Sequence, residues 1–464
     1  MASLGLTAVG WSVLAWRYPV VGLIGDPRFS LGAVEPLYRL IPDVFAFALL
    51  SLAYLWGYVC LRQTRRIGGG VLAGLALTLV VAAAANVALY PVGARDVYHY
   101  LMVLDIVVKH HGNPYLVLYA QVPADVFAPY GFLPDTPLGY GPGWLLLSLL
   151  PAPLAGFSSV LRTLLVYKVY NLLLILAAAG AIWACSGRGR VGLAAAYLYA
   201  LNPLVLFEGV ANGHNDVLVA LFMVLAVVAL RRRLVIALAL LALATSIKFY
   251  TAPVAVVFAF YMLRQRWSAR RLAVAALLVA LTLAAVVVPF WSGGQMLAGL
   301  RDGGLVYMRD LYSSSILSLA RQAAVESGAA SVDAVELCAG LALVAMTGSA
   351  LWAGRRAGDP AVVAAVVLGW ALLLATNLFP WYLVTLVAAI AAAGDEGSLA
   401  YLFPATLLGG LYYFVSITCW SLIPTRSLLI HVMEACTITV PLLVFAVWRT
   451  IALAKEREAG APSV

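Results

Sequence analysis

Apolar runs of roughly 15 to 22 residues recur along the whole 464-residue chain, and most of its charge falls between them. Runs of that length and purity let a helix cross a ~30 Å hydrocarbon core at about 1.5 Å per residue, with every backbone polar group satisfied inside its own helix. The pattern therefore predicts an all-α, polytopic transmembrane protein. Expected spans are 41–61, 70–91, 163–184, 191–208, 216–230, 233–247, 250–263, 272–291, 333–353, 361–379, 381–393, 400–419 and 427–448. Residues 4–24 either add a further span, for 13–14 in all, or form an interfacial helix, because Arg17 and Pro19 interrupt them. The N-terminal residues carry no basic region or small-residue cleavage site and are expected to stay on the protein.

Alternate connections are basic: Arg62, Arg65 and Arg66; Arg188 and Arg190; Arg231, Arg232 and Arg233; Arg264, Arg266, Arg270 and Arg271; Arg355 and Arg356; Arg449, Lys455 and Arg457. By the positive-inside rule these ends, the C-terminus included, are cytoplasmic, and the chain is an integral protein of the plasma or cell membrane. A net charge of +9 spread over such loops signals orientation and argues against a nucleic-acid partner. The outward segments are then 92–162, 209–215, 248–249, 292–332, the NLFPW turn near 380, and 420–426. Parity requires 140–156 not to cross, and it reads as an amphipathic interfacial helix. Spans as short as 233–247 and 250–263 suggest a cavity opening outward. The five cysteines lie in or beside apolar runs without paired spacing and do not report a redox compartment.

Two outward segments concentrate polar chemistry. In 92–143, the run DVYHYLMVLDIVVKHH has helical periodicity, so Asp96, His99 and Tyr100 share a face while Asp105 points away. The same stretch carries Lys109, His110 and His111. The competing structural role for Asp96 is a helix cap. In LNPLVLFEGVANGHNDVLVALF, Asn202, Glu208, Asn212, His214, Asn215 and Asp216 crowd a single turn, where Asn202–Pro203 would break one helix and Asp216 would cap the next. Lys248, flanked by apolar sequence, needs a partner such as a phosphate, or must snorkel to headgroups. In 292–332, Arg301, Tyr307, Arg309 and Tyr312 suit either an anionic headgroup or a solvated loop. The LFPWYL turn reads as an aromatic belt. His99, His214, Asp96 and Asp216 could in principle ligate a metal, but no HxxH or DxD spacing supports one, and neither metal nor cofactor is expected.

Asp96, His99, the GHND turn and Lys248 come from distant parts of the chain yet fall on one outward side. A carboxylate able to deprotonate a hydroxyl, beside groups able to hold a phosphate, describes transfer from a lipid phosphate. At this point the exit aspartate followed by HGNPY (His111 to Tyr115), the later YGPGW, the NP…NGHND turn and the lysine beyond it resemble the GT-C superfamily of membrane glycosyltransferases. The closest likeness is to its polyprenyl-phosphate-mannose-using mannosyltransferases. It covers roughly residues 70–265, with weaker support from LFPWY.

After extra N-terminal span(s) in 1–69, that resemblance implies a GT-C-like catalytic core over 70–291 with the large outward loop 92–162, then the outward loop 292–332 and C-terminal helices over 333–464. It implies a sugar donor linked to dolichyl or another polyprenyl phosphate, and a hydroxyl acceptor on a lipid-linked glycan, glycolipid or protein. Asp96 corresponds to the catalytic aspartate and Lys248 to a contact of the donor phosphate, with His99 assisting. His214 and Asp216 fall in the second outward loop that lines the site, and Tyr100, His111, Asn113, Tyr115, Asn212 and Asn215 are expected to line it too. The chain departs from the pattern in its N-terminal extension and in lacking a paired acid in the first loop. The reaction expected is inverting transfer of a hexose, most simply mannose, with Asp96 as base. The alternatives are a lipid-linked polysaccharide polymerase or ligase, for which Arg301, Arg309 and Arg321 would serve, and a lipid or sugar transporter, for which Glu434 would serve.

Overall fold

The computed structural model describes residues 1–27, 37–64, 66–131, 133–187, 189–231, 233–306, 314–354, 359–423 and 428–458. Arg65, Arg188, Arg232, Tyr307, Arg309, Tyr312, Arg355 and Arg356, all singled out above, lie outside the described residues. Every expected span 41–61 through 427–448 falls on a helix or a helix pair. Among the described residues, six helices are long and apolar enough to cross a membrane: Leu40–Gln63, Gly69–Ala88, Val160–Cys185, Ala269–Phe290, Val332–Gly354 and Glu396–Cys419. Two more are bent pairs, Gly189–Ala200 with Pro203–Ala211 at 47° and Leu428–Thr437 with Thr439–Glu456 at 53°. The other five run only 10–17 residues, or about 15–25 Å.

The bends have sequence causes. Pro203 has no N–H to extend the preceding helix, and Asn202 Oδ1 instead accepts from Leu204 N at 2.9 Å and Val205 N at 3.3 Å, starting a new one. Pro441 likewise removes the N–H that would reach back across the break at Ile438.

The chain divides into two compact units, Met1–Leu218 with Ala285–Met308, and Val219–Ala284 with Arg309–Val464. The first contains α1 (Ala2–Arg17), α2 (Leu37–Gln63), α3 (Gly69–Ala88), α4 (Asp96–Val108), α5 (Pro142–Ser148), α6 (Ala152–Ala155), α7 (Val160–Cys185), α8 (Gly189–Ala200) and α9 (Pro203–Leu206). Helix α1 stops at Arg17, whose guanidinium lies 2.7 Å from buried Asp43 on α2. Tyr18 donates to the same carboxylate at 2.6 Å. Helix α2 meets α8 through a stacked Tyr54–Tyr197 pair, with centroids 5.5 Å apart, and each hydroxyl donates to a carbonyl on the opposite helix. Gly57 makes that approach possible, because a Cβ there would sit 2.3 Å from the Tyr197 oxygen.

The expected interfacial helix over 140–156 is instead two pieces, α5 and α6, divided at Pro151 and closed by Gly156 at φ +71°. Pro151 and Pro153 withhold the N–H groups a continuous helix would need. At seven residues α5 is too short to cross a bilayer.

In the second unit Pro360–Leu373 and Leu383–Ala393 are buried along nearly their whole length. Trp370 Nε1 donates to Thr450 Oγ1 at 3.0 Å, and two ion pairs, Arg231–Asp359 at 2.7 Å and Arg449–Asp395 at 2.8 Å, close helix ends.

One buried lysine sets how the chain leaves α3. Lys168, fully buried on α7, donates from Nζ to the carbonyls of Asn86 at 3.3 Å, Val87 at 3.4 Å and Leu89. Its three donors match three carbonyls that the end of α3 leaves without intrahelical partners. Lys168→Met keeps the stem and removes the donors, so it should lower the stability of the purified protein by about 1–3 kcal/mol. A melt in detergent reads this directly, and an unchanged midpoint would show that these carbonyls find other partners.

Candidate active site

Seven residues after α3, the chain re-enters a helix at Asp96. Arg95 occupies the cap position and makes no side-chain cap bond, while its Nη2 donates to the carbonyls of Pro27 at 2.8 Å and Tyr130 at 2.9 Å. Asp96 faces the GHND turn, with Oδ2 3.8 Å from His214 Nε2. The opposite ring nitrogen, His214 Nδ1, lies 2.9 Å from Glu208 Oε2. Glu208 and His214 are fully buried, whereas Asp96 keeps 22% of its side chain exposed. The result is a carboxylate–imidazole–carboxylate line whose outer end alone is reachable.

Local backbone chemistry builds that line. Phe207–Ala211 forms a π-turn, a wider coil that rotates Glu208 inward, and the His214 amide returns to the Glu208 carbonyl at 2.9 Å. Asn212 then bridges two segments, donating to Glu208 Oε2 at 3.1 Å and accepting from the Gly93 amide at 3.1 Å. Asn171 on α7 donates to the carbonyls of Gly209 at 2.8 Å and His214 at 3.2 Å. Gly213 adopts φ +76°, and a Cβ there would lie 2.7 Å from Val97. Only glycine lets the turn sit this close to α4.

Charge follows from this geometry. Burial alone would push the His214 imidazolium down, but the carboxylates of Asp96 and Glu208 on either side of the ring outweigh it and raise the pKa to about 9. His99, one turn along α4 from Asp96, goes the other way. Burial lowers it to about 4, and the nearby Asp96 only partly opposes this. It is therefore neutral near pH 7 and can serve an anion as an N–H donor but not as a cation.

The remaining expected site residues divide. Tyr100 is buried, its hydroxyl 3.2 Å from that of Tyr140, and both rings pack on Trp144 of the YGPGW segment. Burial first, then Tyr140, Asp96 and Asp216, hold its hydroxyl well above the ordinary range. Asn215 and Asp216 are buried beside His214, and Asp216 is the first residue of the helix Asp216–Leu230. The HGNPY residues lie in the connection that follows α4. His111, at φ +52°, is exposed and turns the chain out of α4. Asn113 donates to the Phe290 carbonyl at 2.8 Å, and Tyr115 donates to the Tyr140 carbonyl at 2.9 Å. Lys109 bridges Asp105, at 3.1 Å, and Asp125. Burial raises Asp105 to about 6 with Lys109 opposing, so this cluster pins the loop rather than joining Asp96.

Lys248 belongs to the second unit. It is buried, and its Nζ stands 4.9 Å from the Tyr382 ring centre, a cation–π contact rather than a snorkelling one. The LFPWYL turn packs inward as well, with Phe379 and Trp381 stacked at 4.5 Å. Of the arginines a polymerase would use, Arg301 pairs with its neighbour Asp302 at 2.8 Å and Arg321 with Glu336 at 3.2 Å. Glu434 accepts from Ser416 at 2.6 Å. Among the described residues no group of three or more His, Cys, Asp or Glu side chains could hold a metal ion.

Two positions carried no weight in the sequence reading. Glu208 was visible in the crowded turn but not assigned to the site, and Lys168 was not singled out at all. The signal for each was an ionisable residue inside an apolar run, which is costly unless paired.

Residues 3–265 match the family described as alpha-(1->6)-mannopyranosyltransferase, N-terminal domain, and because this is more than half of the chain, the chain belongs to that family. It is thus a membrane mannosyltransferase. No curated protein matches it significantly.

Two outcomes test the geometry. His214 titrates above its ordinary value of 6.5. The stability it contributes is therefore fully present below about pH 6.5 and is lost as pH rises through about 9. Melting curves from pH 6 to 10 should show a fall in wild type that is largely absent from His214→Gln. Gly213→Ala forces both the positive φ and the Val97 clash, and should cost about 1–3 kcal/mol in the same assay.

Proposed function

We propose that this member of the alpha-(1->6)-mannopyranosyltransferase family transfers mannose from a polyprenyl monophosphate carrier to a sugar hydroxyl of a lipid-linked glycan or glycolipid. The new bond would be the alpha-(1->6) linkage of the family's name, made at the outward face of the membrane with inversion at the anomeric carbon. Asp96 is the general base. The observation that carries this reading is the Glu208–His214–Asp96 line, which leaves a carboxylate partly exposed at the end of a buried ionic chain.

In the step, an acceptor hydroxyl gives its proton to Asp96 as its oxygen attacks the anomeric carbon. The bond from that carbon to the phosphate oxygen breaks, and the polyprenyl phosphate departs with the electron pair. A phosphate monoester is already a stable anion, so this reaction does without the second carboxylic acid that glycoside hydrolysis typically requires. His214, held by Glu208, aims Asp96. Two carboxylates and one imidazolium leave this line with a net negative charge. A departing phosphate therefore needs a cation from elsewhere. Lys248 is assigned that role, as the motif resemblance suggests, with neutral His99 offering at most an N–H. Basic ends at alternate connections support the outward orientation and a cytoplasmic C-terminus.

Asp96→Asn preserves shape and removes the base, so it should lower mannosyl transfer from synthetic polyprenyl-phosphate-mannose by about 10²–10⁴-fold while the melting curve stays near wild type. EDTA should have no effect on the wild type. Near-normal transfer by a folded Asp96→Asn protein would remove Asp96 from this role.

A further inference from the structure

A narrow cavity of about 20 Å³ lies inside the first unit, lined by the chain neighbours of Asp96 and His214. Val97 and Tyr100 line it from the turn that follows Asp96, Gly213 and Asn215 from the two sides of His214, and Trp144 and Tyr170 from α5 and α7. Its size admits the hydroxyl tip of a small group. Most of its polar walls are already engaged with protein. Tyr100 bonds Tyr140, Tyr170 donates to the Leu147 carbonyl, and Asn171, also in the lining, holds the GHND turn.

Asn215 differs. It is 4% exposed, and among the described residues neither Oδ1 nor Nδ2 has a hydrogen-bond partner. A buried amide with both its donor and its acceptor idle costs free energy unless something in the cavity answers it. A single hydroxyl can do so, since one O–H group both donates and accepts. Tyr167 donates to the Ser148 carbonyl, and apart from Ser148 the rest of the wall is apolar and aromatic, so the group that fits best has a hydrocarbon stem with a hydroxyl tip.

We infer that Asn215 is a specificity-determining residue that binds the exocyclic hydroxymethyl group of the transferred hexose, with its CH₂ against Tyr100 and Trp144 and its hydroxyl on the Asn215 amide. This rests on the reading of Asp96 as the base of a polyprenyl-phosphate-mannose transferase, because the cavity is lined by Val97, next to Asp96, and by Gly213 and Asn215, on either side of His214. It explains how such a site tells mannose from a sugar that lacks the C6 hydroxyl. A ring hydroxyl would bring no methylene to the apolar wall.

The test compares two synthetic donors, polyprenyl-phosphate-mannose and polyprenyl-phosphate-6-deoxymannose, with wild type and Asn215→Leu, and with Asp96→Asn as a control. Leucine matches the amide in shape and removes both polar atoms. Wild type should prefer the mannosyl donor by about tenfold or more in kcat/KM, the effect of one lost hydrogen bond in a buried site. Asn215→Leu should bring that ratio close to one, chiefly by slowing mannose. Equal use of the two donors by wild type would overturn the inference, and needs no folded variant. An unchanged preference in a folded Asn215→Leu protein would overturn it as well. Either result, with Asp96→Asn inactive, would leave the reading of Asp96 standing. Transfer of neither donor by wild type, or full activity in Asp96→Asn, would sink that reading and this inference with it.

Discussion

Burying Glu208 and His214 in an apolar helical unit is tolerable only because each answers the other, and that mutual requirement organises the site. Taking a carboxylate and an imidazolium from water is expensive, and their attraction repays the cost only when the geometry is good and the remaining polar atoms are bonded. Here the 2.9 Å pairing is reinforced by the Asn212 amide on the same Glu208 oxygen. The pair fixes the ring of His214, and the ring in turn fixes where Asp96 must stand. Since Asn212 also holds the Gly93 amide, the segment leading into α4 is tied to the turn that supplies the histidine.

Around this ionic line the backbone is shaped by a few local devices. The π-turn Phe207–Ala211 turns Glu208 inward, Asn202–Pro203 starts that segment, and Gly213 permits the approach of α4. Lys168 binds the open carbonyls at the end of α3, so the connection to Asp96 leaves the helix in one direction. These devices put the polar chemistry on short, well-anchored connections between packed helices. Catalytic groups are held best in that way, because their rotamers are locked by neighbours.

The sequence was read correctly where local rules govern. Thirteen apolar runs became helices or helix pairs, and Asp96, His99 and Tyr100 fall on the first turns of one helix as their spacing requires. It was read less well where neighbours decide. The 140–156 segment broke at its prolines, and the bonds of Asn113 and Tyr115 to distant backbone carbonyls were not foreseen. Membrane-exit charge that looked like one cluster separated into two, with Asp96 joined to His214 and Lys109 to Asp105 and Asp125.

From the sequence alone, the length and purity of the apolar runs determined an all-α membrane protein, and charge placement picked out the ends of those runs where chemistry could sit. Only the tertiary structure decided which polar residues meet. Gly93 and Asn212 are 119 positions apart, and nothing in either segment's periodicity states that an amide on one will reach the other. Helix formation depends on neighbours a few positions away in the chain. The Glu208–His214–Asp96 line and the idle amide of Asn215 depend instead on how packed helices bring distant turns together, and on the cost of leaving buried polar atoms unanswered.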